Sequence, residues 1–231
     1  MKAAPVVVLV ATLAAGPAVA QEEFPPPSGG KAPLVMVLSG ATGPGNYRAM
    51  AGRIAALGYD VALFDSNAIM KTPARAGRTI DPAAIGTSVR EAIARARQLP
   101  HALPGKIGMV GFSLGGGLVL GYGSMWSDDV AAVAAWYPST SELKDTAGFA
   151  NRIKAPVVIF AGTADEYHFC CMIDKARALE SAAKAANAPF ELTVYPGVRH
   201  GFNLRGADYD GPSTEDAFAK TAAALKRYLG R

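Results

Sequence analysis

Three short stretches of the chain carry residue types that can do nucleophilic chemistry together. The first is Lys106-Ile-Gly-Met-Val-Gly-Phe-Ser-Leu-Gly-Gly-Gly117, where an apolar strand-like run meets a helical one through Gly111-Phe-Ser113-Leu-Gly115. A serine on so sharp a strand-to-helix turn has its hydroxyl exposed at the sheet edge, and the flanking glycines are needed because side chains there would collide with strand and helix. A serine hydroxyl is a weak nucleophile at neutral pH and needs a base within hydrogen-bond reach. The chain offers His101, His168 and His200. In this arrangement the partners follow in the order serine, acid, histidine. His101 falls in a helix-to-strand loop, at the wrong end of a parallel sheet, and reads as a surface residue. His168 follows a strand at the correct end, but an acid would have almost no room to approach it from behind. His200, in Tyr195-Pro-Gly-Val-Arg-His-Gly-Phe-Asn203, follows the last strand and satisfies the order. Asp165 ends Val157-Val-Ile-Phe-Ala-Gly-Thr-Ala-Asp and can hold the histidine through Nδ1; Glu166 is the adjacent fallback.

Acyl transfer places negative charge on the substrate carbonyl oxygen, and a fixed backbone donor aimed there is worth roughly 3 kcal/mol. One donor is the N–H of the residue after the serine, Leu114. The other belongs to the glycine-rich loop after the first central strand, with Ala41 first and Thr42 next. The same loop, with Gly40, Gly43, Gly45 and Asp65 about twenty residues on, also admits a dinucleotide-binding reading. Against that reading, Pro44 removes a backbone donor that a pyrophosphate would use, and no Tyr-x-x-x-Lys pair occurs.

The elements that must position these residues alternate. Strand-like runs at Leu34–Leu38, Tyr59–Phe64, Ile107–Val110, Val130–Trp136, Val157–Phe160 and Phe190–Val194 are interleaved with helical stretches near Tyr47–Leu57, Asp81–Leu99, Leu114–Tyr122, Glu142–Ile153, Met172–Ala186 and Thr214–Leu229. Such alternation predicts a mainly parallel sheet of about six strands with helices on both faces and functional loops at the strands' carboxyl ends. No lid-sized insertion separates Trp136 from the helix expected near Glu142, so the site is expected to be open.

Residues 1–20 combine one positive charge, a short apolar core and the small-residue ending Ala18-Val-Ala20, the pattern of a cleavable secretory signal. The expected location is periplasmic or secreted, with no stable membrane insertion after cleavage. Residues 21–33, with Pro25-Pro-Pro-Ser-Gly-Gly, read as an extended lead-in without regular structure, and 34–231 as one domain. The 23 basic and 19 acidic residues give +4, and cleavage removes Lys2, leaving about +3 (22 − 19). The basic residues are spread along the chain, with no footprint for nucleic acid. Cys170 and Cys171 are the only cysteines. They could be buried thiols, a vicinal disulfide or a pair between chains. His168 beside them has no second ligand cluster, so no metal is expected.

With these segments in hand, the chain resembles the α/β-hydrolase superfamily and most closely the dienelactone hydrolase family. The resemblance rests on Gly-Phe-Ser-Leu-Gly-Gly at the turn, Ala-Gly-Thr-Ala-Asp before the acid and Tyr-Pro-Gly-Val-Arg-His-Gly-Phe at the histidine. It implies an α/β-hydrolase fold and an ester or lactone hydrolase with no cofactor; with the short Trp136 to Glu142 spacing and the signal-like N-terminus, the expectation is a secreted enzyme without a lid domain using Ser113, Asp165 and His200. Two features depart from the namesake enzymes. They carry a cysteine where this chain has Ser113, and a glutamate in the loop after the first strand, where this chain has Ser39-Gly-Ala-Thr-Gly. Two antiparallel strands that often precede the central sheet are expected to be missing or very short. Expected pocket residues are Thr42, Phe112, Trp136, Tyr137, His168 and Phe202, around a small ester or lactone. A monomer or weak dimer is expected. The alternative from another class is a hydrolase-shaped protein that binds a small ligand without turning it over.

Overall fold

The computed structural model describes residues 21–70 and 81–230; the signal-like segment 1–20 lies outside them. In chain order the elements are β1 (Gln21–Phe24), β2 (Leu34–Leu38), α1 (Arg48–Ala56), β3 (Asp60–Phe64), α2 (Ser66–Met70), α3 (Pro82–Ala96), β4 (Ile107–Phe112), α4 (Leu114–Gly121), β5 (Val130–Trp136), α5 (Thr146–Ala150), β6 (Val157–Gly162), α6 (Ile173–Ala185), β7 (Phe190–Tyr195) and α7 (Gly211–Leu229).

The strands form one sheet in the order β1-β3-β2-β4-β5-β6-β7. All neighbours are parallel except β1, which runs antiparallel to β3 with Gln21 opposite Phe64 and Phe24 opposite Val61. A mainly parallel sheet flanked by helices is what the alternating pattern predicts, and it agrees with the α/β-hydrolase fold that the resemblance implies.

Side chains alternate faces along each strand, so every apolar strand feeds two cores. Leu34, Met36 and Leu38 of β2 join Ile107, Met109, Val133 and Ile159 beneath α3, α4, α5 and α6. Val35 and Val37 join Val110, Phe112, Trp136 and Phe160 beneath α1 and α7. The near-continuous apolar runs follow from burial on both sides.

Three expectations need correction. The lead-in is partly regular: Gln21–Phe24 form a strand on the free edge of β3, making seven strands rather than about six. An edge offers unpaired backbone groups to any extended segment, so polar Gln-Glu-Glu pairs there without any apolar signal. The helix expected over Glu142–Ile153 is only α5, because the Asp145 carboxylate accepts the Gly148 N–H at 2.8 Å and starts the helix there. The chain before it is tied down elsewhere, with the Thr140 N–H donating to the Cys170 carbonyl at 2.7 Å. The five-residue α2 has no counterpart in the sequence reading, since one turn is too short to show a helical period.

Cys170 and Cys171 are joined in a vicinal disulfide just ahead of α6, which decides among the three open alternatives.

From β2 the chain passes to β3 on one side, and β4 lies on the other, so the loops after β2 and β4 face each other across a crevice at the carboxyl edge. Glycines let the two come close. A Cβ on Gly115 would overlap the Leu38 carbonyl oxygen and stand 2.5 Å from that of Ser39, and one on Gly111 would stand 2.5 Å from the Gly115 carbonyl carbon. These obstacles are backbone and cannot rotate away.

Gly115→Ala is expected to destabilise the fold by about 3 kcal/mol or more. Gly121→Ala, later in the same helix with nothing within 4 Å of its new methyl, should be neutral or stabilising by up to about 1 kcal/mol. Urea unfolding midpoints of the two variants test the contrast. Iodoacetamide added to denatured, unreduced protein should leave its mass unchanged, and after reduction it should add two carbamidomethyl groups.

Candidate active site

Strand β4 ends and α4 begins around Ser113, which is forced to φ 51° and ψ −112°. A non-glycine residue is rarely held at positive φ, and strain of this kind clusters at functional sites. The surroundings over-determine it. The Ser113 N–H donates to the Trp136 carbonyl at 3.0 Å, and its own carbonyl accepts the N–H groups of Gly117 and Ser139, each at 2.9 Å.

Asp165 follows β6 and His200 follows β7, and the two loops are bonded to each other. The Ala164 N–H donates to the Val198 carbonyl at 3.0 Å, the Thr163 N–H to the Tyr195 carbonyl at 3.0 Å and the Gly197 N–H to Thr163 Oγ1 at 2.8 Å. His200 thereby lies between the other two residues: Nδ1 is 2.7 Å from Asp165 Oδ2 and Nε2 is 2.9 Å from Ser113 Oγ. Asp165 is 2 % exposed and its second oxygen accepts the Tyr167 N–H at 3.1 Å. With Nδ1–H donated to the carboxylate, Nε2 is left free to accept the serine proton. Glu166, the fallback acid, is exposed.

Two tyrosines hold the imidazole ring. Tyr167 stacks on it at 4.5 Å and 7°, and Tyr137 meets it edge-on at 4.7 Å. Tyr137, at φ 35°, is fully buried, and its hydroxyl donates to Asn203 Oδ1. Burial pushes that hydroxyl well above the usual phenol range, with Tyr47 and Asp165 adding to the effect, so it stays protonated. Burial also raises Tyr47, against the opposing contacts of Tyr137, Thr42 and the Gly40 backbone.

The expected oxyanion donors are placed as follows. Leu114 opens α4, so its N–H has no intrahelical acceptor; the next one, Gly115 N–H, is already donated to the Ser39 carbonyl at 3.1 Å. Across the crevice, the Gly40 carbonyl accepts the Gly43 N–H at 3.1 Å and the Ala41 carbonyl accepts Asn67 Nδ2 at 3.1 Å. Both peptides next to Ala41 are therefore fixed in orientation. Among the described residues, neither the Leu114 nor the Ala41 N–H donates to another protein group. The dinucleotide reading of this loop fails on space and charge. A Cβ at Gly40 would fall on the Tyr47 hydroxyl, and Asp65 is occupied by the backbone and side-chain N–H groups of Asn67.

Beside Ser113 is an open cleft of about 230 Å³, lined by Ala41, Thr42, Tyr47, Tyr137, Tyr167, His200, Gly201 and the loop Leu204 to Asp208. Of the expected pocket residues, Thr42 and Tyr137 line it. Phe112, Trp136 and Phe202 do not: they are buried beneath it as a stack in which Phe112 to Trp136 is 5.3 Å and Trp136 to Phe202 is 5.6 Å. These aromatics sit on strands or close to the core, and strand alternation sends them inward. His168 is exposed and packs edge-on against Tyr167 at 4.4 Å, outside the cleft lining. Tyr47, Tyr167, Asn67 and Leu204 also belong to the site and are not among the expected residues. Only Tyr167, two residues after the acid, carried a usable positional signal. Larger hollows elsewhere, of about 460 and 770 Å³, contain none of the three candidate residues.

A model of the dienelactone hydrolase family matches residues 23–229. Protein usf of Aquifex pyrophilus is 27 % identical over 139 residues, covering 58 % of this chain and 56 % of that protein, so the match spans little more than half the length of that relative. A Klebsiella pneumoniae structure assigned as a dienelactone hydrolase superposes with a TM-score of 0.74 at 21 % identity, covering 91 % of this chain and all of that one. Esterase 2 of Thermogutta terrifontis gives 0.71 at 19 % identity, covering 91 % and 90 %. At such identities the two structures speak for the fold. The family model, which runs from β1 through all three candidate residues into the last helix, says more: the chain belongs to the dienelactone hydrolase family.

Proposed function

We propose that the protein is an exported serine hydrolase that cleaves carboxylic esters or lactones through an acyl-enzyme. The observation that carries this reading is the hydrogen-bonded sequence from Ser113 Oγ through His200 to the buried Asp165 carboxylate, beginning at a strained turn. A protein that only binds its ligand has no use for a serine held at positive φ against the base.

Ser113 Oγ attacks the substrate carbonyl carbon while His200 Nε2 takes its proton. The carbonyl oxygen becomes an oxyanion held by the N–H groups of Leu114 and Ala41, and Asp165 stabilises the imidazolium. Collapse of the intermediate breaks the ester C–O bond, and His200 gives its proton to the leaving alkoxide. Water, deprotonated by the same nitrogen, then attacks the acyl carbon, and Ser113 leaves and recovers the proton. In a lactone the alcohol remains tethered to the acid.

The cleft walls of Tyr47, Tyr137, Tyr167 and Leu204 favour small or aromatic acyl groups, and the lack of a long insertion between β5 and α5 leaves them open to solvent. Export is supported by the signal-like N-terminus and by a disulfide of the kind that persists in oxidising compartments.

The Thermogutta esterase is described as phosphorylated by paraoxon, and that reagent tests Ser113 here. Wild-type protein should gain one diethylphosphoryl group and Ser113→Ala none. Folded wild-type protein that stays unlabelled and fails to turn over p-nitrophenyl acetate would defeat the proposal. Ser113→Ala and Asp165→Asn should each lower kcat by about 10^3- to 10^4-fold. For export, N-terminal sequencing of protein recovered from the periplasm or medium should begin at Gln21; an uncleaved cytoplasmic product would contradict it.

A further inference from the structure

We propose that Glu23, Asp60 and His101 bind a first-row divalent cation, Zn²⁺ or Mn²⁺, at the edge of the sheet opposite the Ser113 cleft. One ligand atom from each of these residues lies within 4.8 Å of the other two. They come from separate segments: Glu23 from the edge strand β1, Asp60 from the start of β3, and His101 from the loop before β4.

Asp60 is the observation that points to a ligand. It is 0 % exposed, and among the described residues no N–H donor satisfies either of its carboxylate oxygens, while a second carboxyl, that of Glu23, lies within hydrogen-bond reach. A buried carboxylate left without a partner is costly, and such groups are ordinarily paired or coordinated. What faces it is another carboxylate and an imidazole, with Glu23 Oε1 2.8 Å from His101 Nδ1. A divalent cation neutralises both carboxylates at once and uses the imidazole lone pair.

The backbone already holds the three donors in place. The β1–β3 ladder sets Glu23 opposite Ala62. The Asp60 N–H donates to the Pro33 carbonyl at 3.1 Å, and the His101 carbonyl accepts the Ala32 N–H at 2.8 Å. Ligands on a tetrahedral zinc at 2.1 Å are roughly 3.4 Å apart. Rotation of the Glu23 and His101 side chains, 23 % and 31 % exposed, can close the cluster to that size and gives an ion a route from solvent. Two carboxylates and one imidazole, with water as a fourth ligand, suit zinc or manganese; calcium and magnesium prefer oxygen alone. The bound ion would join the N-terminal strand to the sheet, away from the reacting groups.

The test uses chelator-treated, disulfide-intact protein titrated with ZnCl₂ and with MnCl₂, followed by calorimetry and thermal unfolding. Expected are one saturable equivalent of one of these ions per chain and an unfolding midpoint raised by about 5 °C at a hundredfold excess over Kd. Asp60→Asn, which keeps shape and removes the buried charge, should weaken binding at least about tenfold and abolish the shift. Glu23→Gln, at a partly exposed position, should do the same and serves if Asp60→Asn does not fold. His200→Ala should keep the equivalent, and ester turnover by Asp60→Asn should match wild type. Absence of saturable binding, wild-type affinity in both Glu23→Gln and Asp60→Asn, or loss of the equivalent in His200→Ala would overturn the proposal. The first of these outcomes would mean that Glu23 and Asp60 share a proton instead. None of these outcomes bears on ester cleavage.

Discussion

Ser113 occupies a backbone conformation that a serine does not choose, and most of the site geometry follows from what keeps it there. β4 enters the turn and α4 leaves it around this residue, which requires helix and strand to approach more closely than side chains allow. Gly111 and Gly115 make the approach possible, and Gly115 seats the start of α4 on the carbonyls of Leu38 and Ser39. That contact places the end of β2, and with it the Ser39–Gly43 loop, directly across from the serine. The oxyanion donors proposed on Leu114 and Ala41 can face one point only because of this contact. The strain is local, whereas the restraint on it is spread over β2, β4, β5 and the chain after β5.

The acid and the histidine are held by a different device. Their loops extend two adjacent parallel strands, β6 and β7, and continue to hydrogen-bond after the ladder ends. The separation of Asp165 and His200 is therefore set by strand spacing and not by flexible loop closure. Aromatic packing finishes the arrangement, since Tyr167 and Tyr137 bracket the imidazole while Phe112, Trp136 and Phe202 support it from below. The ring can then exchange its proton with little freedom to turn. An open cleft offers less exclusion of water than a lidded one, and preorganisation of the three residues is what this geometry supplies in its place.

The two edges of the sheet differ in character. At the carboxyl edge, the proposed reaction develops charge transiently and meets it with fixed dipoles. At the amino edge, Asp60 and Glu23 set two carboxyl groups beside the pairing that joins the polar N-terminal strand to β3. β1 has no large apolar stripe to hold it, and all four of its residues are partly exposed. Its attachment rests on backbone pairing, on Arg48 with Glu22 at 2.6 Å and on the cluster that includes Glu23.

Read as sequence, the chain determines the parallel sheet, its six strands and the identity of the serine, acid and histidine brought together at its edge. Apolar runs long enough to be buried on both faces, and a strand-to-helix serine turn whose fold sets the order serine, acid, histidine, leave few alternatives. Local signals could not reveal what depends on partners distant in the chain. The edge strand Gln21–Phe24 uses backbone hydrogen bonds that any residues can make. Asn67 enters the site by bonding the Ala41 carbonyl and Tyr47 by stacking on Phe112, each a partner distant in the chain. Phe112, Trp136 and Phe202 turn inward, while Tyr167 turns toward the histidine, because strand alternation and turn geometry decide direction where composition shows only aromatic content. His101, unremarkable as one more loop residue, meets Glu23 and Asp60 only when β1 closes the sheet. Tertiary structure alone decided these contacts, because each is a distance between segments and not a property of either one.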